Sequence, residues 1–225
     1  MWVDRRGFLS QSGLAIGALA TSGGLASLID TRLANAGRVG GRIALTFDDG
    51  PGPGTFRTRQ ILDDNGVSGT WFFVGNVVGR SPEAARGLID LGHSVQNHSW
   101  SHQDLTTLAD PTAEITMCND AIRSATGVTP SCIRPPYGAT NDHVESVISG
   151  LGMTSVLWSL SWTRIATAAN PTLQTVIEAE ARRDRGLSST ILFHDATNDW
   201  EQMLYFLPSI IAAFKALNYE FFTYG

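Results

Sequence analysis

Cysteine is scarce, with two in 225 residues, Cys118 and Cys132. Neither has a second cysteine at metal-ligand spacing, which speaks against a thiolate zinc site. A single bridge between them is permitted if the chain meets an oxidising compartment, and the sequence leaves their pairing open. There is no basic block or stripe, and the formal net charge is −5. With nothing to track a phosphate backbone, nucleic acid is excluded as an expected partner. Internal repeats and low-complexity runs are also missing after residue 36.

Lys, Arg, Asp and Glu are absent throughout 14–29, an apolar stretch of small residues that follows Arg5-Arg6-Gly7-Phe8-Leu9. That pattern reads as an export signal rather than a fold element or a membrane span, because it is short, rich in Gly and Ser, and followed by Ala34-Asn35-Ala36. The paired arginines resemble a twin-arginine signal, an address for proteins translocated already folded. Cleavage is expected after Ala36. The chain then divides into an export signal, 1–36, and one catalytic-size domain, 37–225, in the periplasm or outside the cell, with no stable membrane anchor after cleavage. Removing 36 of 225 residues leaves 189. That is enough for one well-buried domain and short for two.

From Arg42 onward short apolar runs alternate with helical patterns. Candidate strands are 43–47, 70–74, 94–97, 131–134, 154–158, 190–194 and 219–223; candidate helices are 56–65, 82–91, 111–126, 142–151, 173–183 and 200–217. The alternation predicts an α/β fold with a largely parallel sheet of about seven strands. In the helix from 111, Ile115, Cys118, Ala121, Ile122 and Ala125 recur at three- and four-residue spacing, one face to be buried.

The unusual polar residues fall at the C-terminal ends of these strands: Asp48 and Asp49 after the first, His98 after the third, Arg134 closing the fourth, His194 closing the sixth. In barrels and open α/β sheets that edge carries the active site. Asp48 and Asp49 can share one site only if the chain bends there, which Gly50 and Pro51 allow. A cation at one carboxylate would leave the other ionised as a base. His98 and His102 are four apart, so on a helical turn both imidazoles would face one ion. With Asp49 they make a two-His, one-carboxylate set with positions left open for water and substrate. Taken alone, the acidic pair has a solvated turn as its lesser alternative, and His-x-x-x-His reads more readily as an exposed or capping pair.

Thr46-Phe47-Asp48-Asp49-Gly50-Pro51, His98-Ser99-Trp100-Ser101-His102, Arg134-Pro135-Pro136-Tyr137-Gly138 and Leu192-Phe193-His194 resemble, in order and spacing, the signature motifs of the polysaccharide deacetylase (NodB-homology) family of carbohydrate esterases. The resemblance spans Arg42 to Gly225. It implies a distorted (β/α) barrel and a metal-dependent hydrolase acting on an acetylated polysaccharide, either an N-acetylglucosamine polymer such as peptidoglycan or chitin, or an O-acetylated xylan. It implies Asp49, His98 and His102 as metal ligands, Asp48 as general base with Arg134 paired to it, the Tyr137 N–H as oxyanion donor and His194 as general acid. Zinc is the first choice of metal, because hydrolysis needs a Lewis acid without redox chemistry; cobalt or another divalent ion also fits. Two rivals remain: an impaired carbohydrate-binding protein on the same fold, and an amidohydrolase of a small cyclic amide.

One family motif is missing. Where Asp-x-x-Asp-Trp is expected after the fifth strand, the chain reads Trp158-Ser159-Leu160-Ser161-Trp162-Thr163-Arg164. Ser161 and Arg164 take the places of acids, so the carboxylate that supports the acid histidine is absent, which shifts the expectation toward an O-acetyl ester. Asp195 and Asp199 are the nearby replacements, Asp199 favoured because strand neighbours point to opposite faces. His93 and His143 match no motif and read as structural or surface residues. Trp100 and Trp162 are candidates for stacking on sugars or for plain packing.

Overall fold

The computed structural model describes residues 40–197 and 200–225; the expected export segment and Asp199 lie outside them. Eight parallel strands form a curled sheet: β1 (Arg42–Asp48), β2 (Thr70–Phe73), β3 (Ser94–Asn97), β4 (Cys132–Ile133), β5 (Thr154–Ser155), β6 (Leu160–Ser161), β7 (Ser189–His194) and β8 (Glu220–Phe221). Seven run in the order β5-β4-β3-β2-β1-β7-β6, and β8 pairs with the start of β1. The helices are α1 (Thr55–Asp64), α2 (Gly75–Val78), α3 (Pro82–Ile89), α4 (Thr112–Thr126), α5 (Asp142–Gly150), α6 (Trp162–Ile165), α7 (Pro171–Arg183) and α8 (Trp200–Ala216). None of the described helices is long and apolar enough to cross a membrane. This is the expected α/β distorted barrel.

Local chemistry explains the boundaries. The Asn141 and Asn170 side chains accept from the Val144 and Leu173 N–H groups at 2.9 and 3.0 Å, starting α5 and α7. Gly127, with φ 78°, ends α4 by donating its N–H to the Arg123 carbonyl. On α4 the residues Ile115, Cys118, Ile122 and Ala125 are buried, as the spacing predicts, with Ala121 packed at their margin.

Alternation along β1 separates two environments. Ile43, Leu45 and Phe47 face the helices in the main core, where Phe47 stacks on Trp71 and Phe193 at centroid distances of 4.8 and 5.4 Å. Thr46 and Asp48 face the barrel interior, where Arg134 reaches both. The same alternation separates the cysteines. Cys118 packs in the outer core and donates to the Phe73 carbonyl, whereas Cys132 lies with Phe72 and Val156 in the inner cluster. Phe72 and Phe73 are strand neighbours facing opposite sides, so the cysteines are free and buried, and no bridge forms.

The candidate strand 154–158 is corrected. β5 stops at Ser155, and the carbonyls of Val156 and Leu157 accept from the Arg134 guanidinium at 3.0 and 3.4 Å rather than from a ladder partner. The chain then crosses over, Ser159 N–H bonds the Thr190 carbonyl, and the separate strand β6 pairs with β7. A buried cation thus ends the strand at Ser155, and the next short strand, β6, begins beyond the candidate run.

Candidate active site

Asp48 ends β1 in register with His194 at the end of β7, which puts both side chains on the inner face of the sheet at one level. Strand alternation would send the next carboxylate outward. Asp49 adopts φ 72° instead, so the bend expected at Gly50-Pro51 begins at the aspartate itself. Gly50 is required for a different reason: a Cβ there would lie 2.4 Å from the Phe73 ring.

The two histidines are not on a helix. His98 follows β3 directly, and Ser99 and His102 both take left-handed backbone, with φ 62° and 61°. Side chains enforce the loop: Asn97 accepts from the Ser99 N–H at 2.7 Å, Ser99 Oγ accepts from the His102 N–H at 3.0 Å, and Glu114 on α4 accepts from the Ser101 N–H and hydroxyl. Asn97 is itself tied to α4 through the Ile115 carbonyl and Asn119. Asn97 and Glu114 were missed in the sequence, because neither lies in the motif they hold. The expectation that four-residue spacing brings the rings together holds, by a different backbone.

His98 Nε2 lies 3.4 Å and His102 Nε2 3.1 Å from Asp49 Oδ1. His98 Nδ1 sits 2.6 Å from the Arg134 carbonyl, which can only accept, so Nδ1 carries the proton and the Nε2 lone pair faces Asp49. Asp49 Oδ1 is buried without an aligned donor among the described residues. Ligand atoms of Asp49, His98 and His102 lie within 4.8 Å of one another. Converging lone pairs around a buried carboxylate oxygen repel unless a cation sits among them, so the three residues fit a divalent ion. Burial would raise the Asp49 carboxyl, but the contacts of His102 and His98 outweigh it and hold Asp49 well below the carboxylate range. The same contact with Asp49 raises His102 above its usual value against the effect of burial.

Asp48 is separated from this set in role. Arg134, fully buried, donates to Asp48 Oδ1 at 2.6 Å and to Thr46 Oγ1 at 2.9 Å from one guanidinium nitrogen, while its plane lies 4.2 Å from the Phe72 ring centroid. Asp48 Oδ2 stays 3.7 Å from His98 Nε2. The Asp48 carboxyl is therefore fixed beside the candidate metal position by a bond from the Arg134 guanidinium to its other oxygen. Removing one partner of such a buried pair costs about 3–5 kcal/mol.

Tyr137 has φ 61° and is 69 % exposed, its ring standing edge-on to His102 at 4.8 Å between centroids. Its N–H donates to nothing among the described residues, while Gly138 and Ala139 close the turn around it. His194 is half-buried at the inner rim. Asp195 points the other way, as alternation requires: its Oδ2 accepts from Trp71 Nε1 at 2.7 Å on the core side, so it is no partner for His194. Fully buried, its carboxyl is pushed up to about 7 by desolvation, partly opposed by the Trp71 N–H.

The altered fourth motif resolves into two positions. Arg164 pairs with Glu178 on the surface, away from the site. Ser161 ends β6 in register with Leu192, on the inner face next to the strand that carries His194. Trp162 is buried in the core against Phe193 and Phe206, which removes it from any sugar contact. Trp100 is half-buried beside Gly75 on α2. His93 is structural, accepting from the Gly69 N–H and bonding Asp63, and His143 meets the Ala109 carbonyl at the surface.

Comparison with known proteins agrees with this geometry. The family profile described as polysaccharide deacetylase matches residues 37–156. A chitin deacetylase of Amylomyces rouxii is 33% identical over 182 residues, covering 76% of this chain and 43% of its own. A peptidoglycan-N-acetylglucosamine deacetylase of Bacillus cereus is 31% identical over 186 residues, covering 80% and 85%. The chain thus spans less than half the length of the fungal relative. Among solved structures, the family 4 carbohydrate esterase from Streptomyces lividans in complex with acetate superposes with a TM-score of 0.68 at 32% identity, covering 81% of this chain and 92% of that one. With more than half of its residues under the family profile and the motif side chains gathered in one cleft, this chain belongs to the polysaccharide deacetylase family.

Proposed function

We propose that this protein is an exported, metal-dependent hydrolase that removes acetyl groups from a glycan, either an N-acetylglucosamine polymer such as chitin or peptidoglycan or an O-acetylated xylan. The reading is carried by the convergence of His98 Nε2 and His102 Nε2 on the buried Asp49 Oδ1, with Asp48 held beside them by Arg134. Zinc would suit the set, since two imidazole nitrogens and a carboxylate oxygen are ligands it takes and both nitrogens close on Asp49 Oδ1, at 3.1 and 3.4 Å. A divalent ion there supplies the Lewis acid that polarises the acetyl carbonyl and acidifies a water.

The protein's own groups do the rest. Asp48 takes the proton from the attacking water at the oxygen that Arg134 leaves free. The unpartnered Tyr137 N–H donates to the oxyanion that develops on the carbonyl carbon. His194, level with Asp48 across the β1–β7 pair, gives a proton to the departing amine or alkoxide. Ser161 offers His194 no carboxylate, which favours the better-leaving alkoxide and hence an O-acetyl ester. Export follows from the charge-free stretch after the paired arginines at the N-terminus.

Acetate release from N-acetylglucosamine oligomers and from acetylated xylan, with and without chelator, for the wild type and Asp48→Asn, tests the reading. Chelator and the variant should each abolish release, with xylan the faster substrate. Activity that survives chelation refutes the metal role, exclusive N-deacetylation refutes the ester preference, and no release from any glycan favours an impaired binding protein.

A further inference from the structure

The outer surface carries a second feature that the acetyl-cleaving site does not use. Between α1 and α8 runs a groove of about 670 Å³, lined at i, i+1, i+4 and i+5 spacing by both helices. Phe56 and Tyr205 line it, 62% and 70% exposed, together with the half-buried Trp200. Large exposed aromatics in one groove have no packing explanation. Their orientations are fixed: the Arg59 guanidinium lies 4.6 Å from the Phe56 ring centroid, and Phe206 holds Tyr205 edge-on at 5.0 Å. Arg57, Gln60 and Glu201 line the same groove, groups of both charges and none.

We propose that this groove binds a further stretch of the glycan chain whose acetyl groups are removed in the cleft; the inference rests on the function proposed above. Pre-positioned aromatic faces suit the apolar faces of sugar rings, and the polar groups of the same groove suit hydroxyls and amides. Mixed charge suits a neutral polymer rather than a polyanion. One lining residue of the groove, Trp200, also lies near the cleft. Trp200 packs so closely on the turn after Asp49 that a Cβ on Gly54 would lie 3.0 Å from its ring, and the Gly54 N–H bonds the carbonyl of Asp195, next to His194. A chain leaving the catalytic rim therefore meets Trp200 first and Phe56 next.

The test is a chain-length series. Acetylated glucosamine dimer and hexamer, and the matching xylan fragments, are compared between the wild type and a Phe56→Ala, Tyr205→Ala double variant, whose changes remove exposed rings only. The KM for the hexamer should rise about tenfold, the loss typical of truncating anchoring aromatics, with kcat and the dimer kinetics unchanged. Equal KM for both lengths in wild type and variant, or an equal change for both, overturns the inference. If the wild type cleaves no glycan, the function fails separately, and calorimetric binding of the hexamer decides the groove: weaker binding by the variant supports it. Equal binding overturns it and points to a protein occupant.

Discussion

Replacing Asp195 by Asn removes a carboxyl that the fold buries completely, beside the turn that carries Asp49, the proposed metal ligand. The desolvated carboxyl titrates near 7, against 3.8 for the ordinary group. The sign follows from proton uptake: below pH 3.8 both folded and unfolded chains hold the proton, and the group contributes no pH dependence. Between 3.8 and about 7 the unfolded chain releases it while the folded chain keeps it, so stability falls as pH rises. At about 1.36 kcal/mol per pH unit the full interval is worth about 4 kcal/mol, a large part of the roughly 5–15 kcal/mol that holds a domain together. Asparagine has no such interval, and its carbonyl can still accept from Trp71 Nε1. Urea unfolding at pH 4, 6 and 8, followed by fluorescence with chelator present, should show Asp195→Asn gaining about 4 kcal/mol on the wild type from pH 4 to pH 8. Chelator matters, because a cation at Asp49 would favour the ionised carboxyl and mask the effect. A wild type and variant that differ by the same amount at all three pH values would show that Asp195 ionises alike in both states, and the reasoning would fail.

Three further outcomes concern the cleft. Because Asp49 raises His102 above its ordinary value of 6.5, a proton competes for Nε2 already near neutrality; apparent metal Kd should rise about tenfold per pH unit on acidification below that value, and a Kd flat between pH 7 and 5.5 in a competing chelator contradicts it. The same His102–Asp49 pair stabilises the metal-free protein at acid pH and ceases to as pH rises through the raised value. Ser161→Asp places a carboxylate on the inner face beside β7; it should raise the rate on N-acetylated oligosaccharide about tenfold and on acetylated xylan much less, and equal effects on both would detach Ser161 from His194.

The strands and helices were legible because each is specified by neighbours in sequence: Leu45 and Phe47 alternate with Thr46, and Ile115, Cys118 and Ile122 repeat along α4. The reading failed where a distant group decided. Nothing between 154 and 158 announces that Arg134, 22 residues before Val156, takes that carbonyl out of a ladder. Cys118 and Cys132 look alike in sequence, and only the faces of β2 separate them. Asp195 reads as a neighbour of His194, but Trp71 claims its side chain from the other side of the sheet.

The cleft itself was legible in its residues and illegible in its backbone, for one physical cause. Bringing consecutive carboxylates to one side of a strand end, and histidines four apart to one point without a helix, needs chain directions that regular elements do not supply. Asp49, Ser99, His102 and Tyr137 supply them with φ between 61° and 72°. None is glycine, and each such residue costs on the order of 1–3 kcal/mol unless its surroundings enforce it. Glycine at these positions would relieve the backbone but remove the proposed ligands at Asp49 and His102 and the Ser99 hydroxyl that holds the His102 N–H. The strain is therefore carried by the residues whose side chains the site needs. It is opposed from outside the motifs, by Asn97 anchored on α4 and by Glu114 gripping Ser101. Those anchors sit beside and beyond the motif they support, which is why the motif names the ligands and leaves their scaffold unannounced.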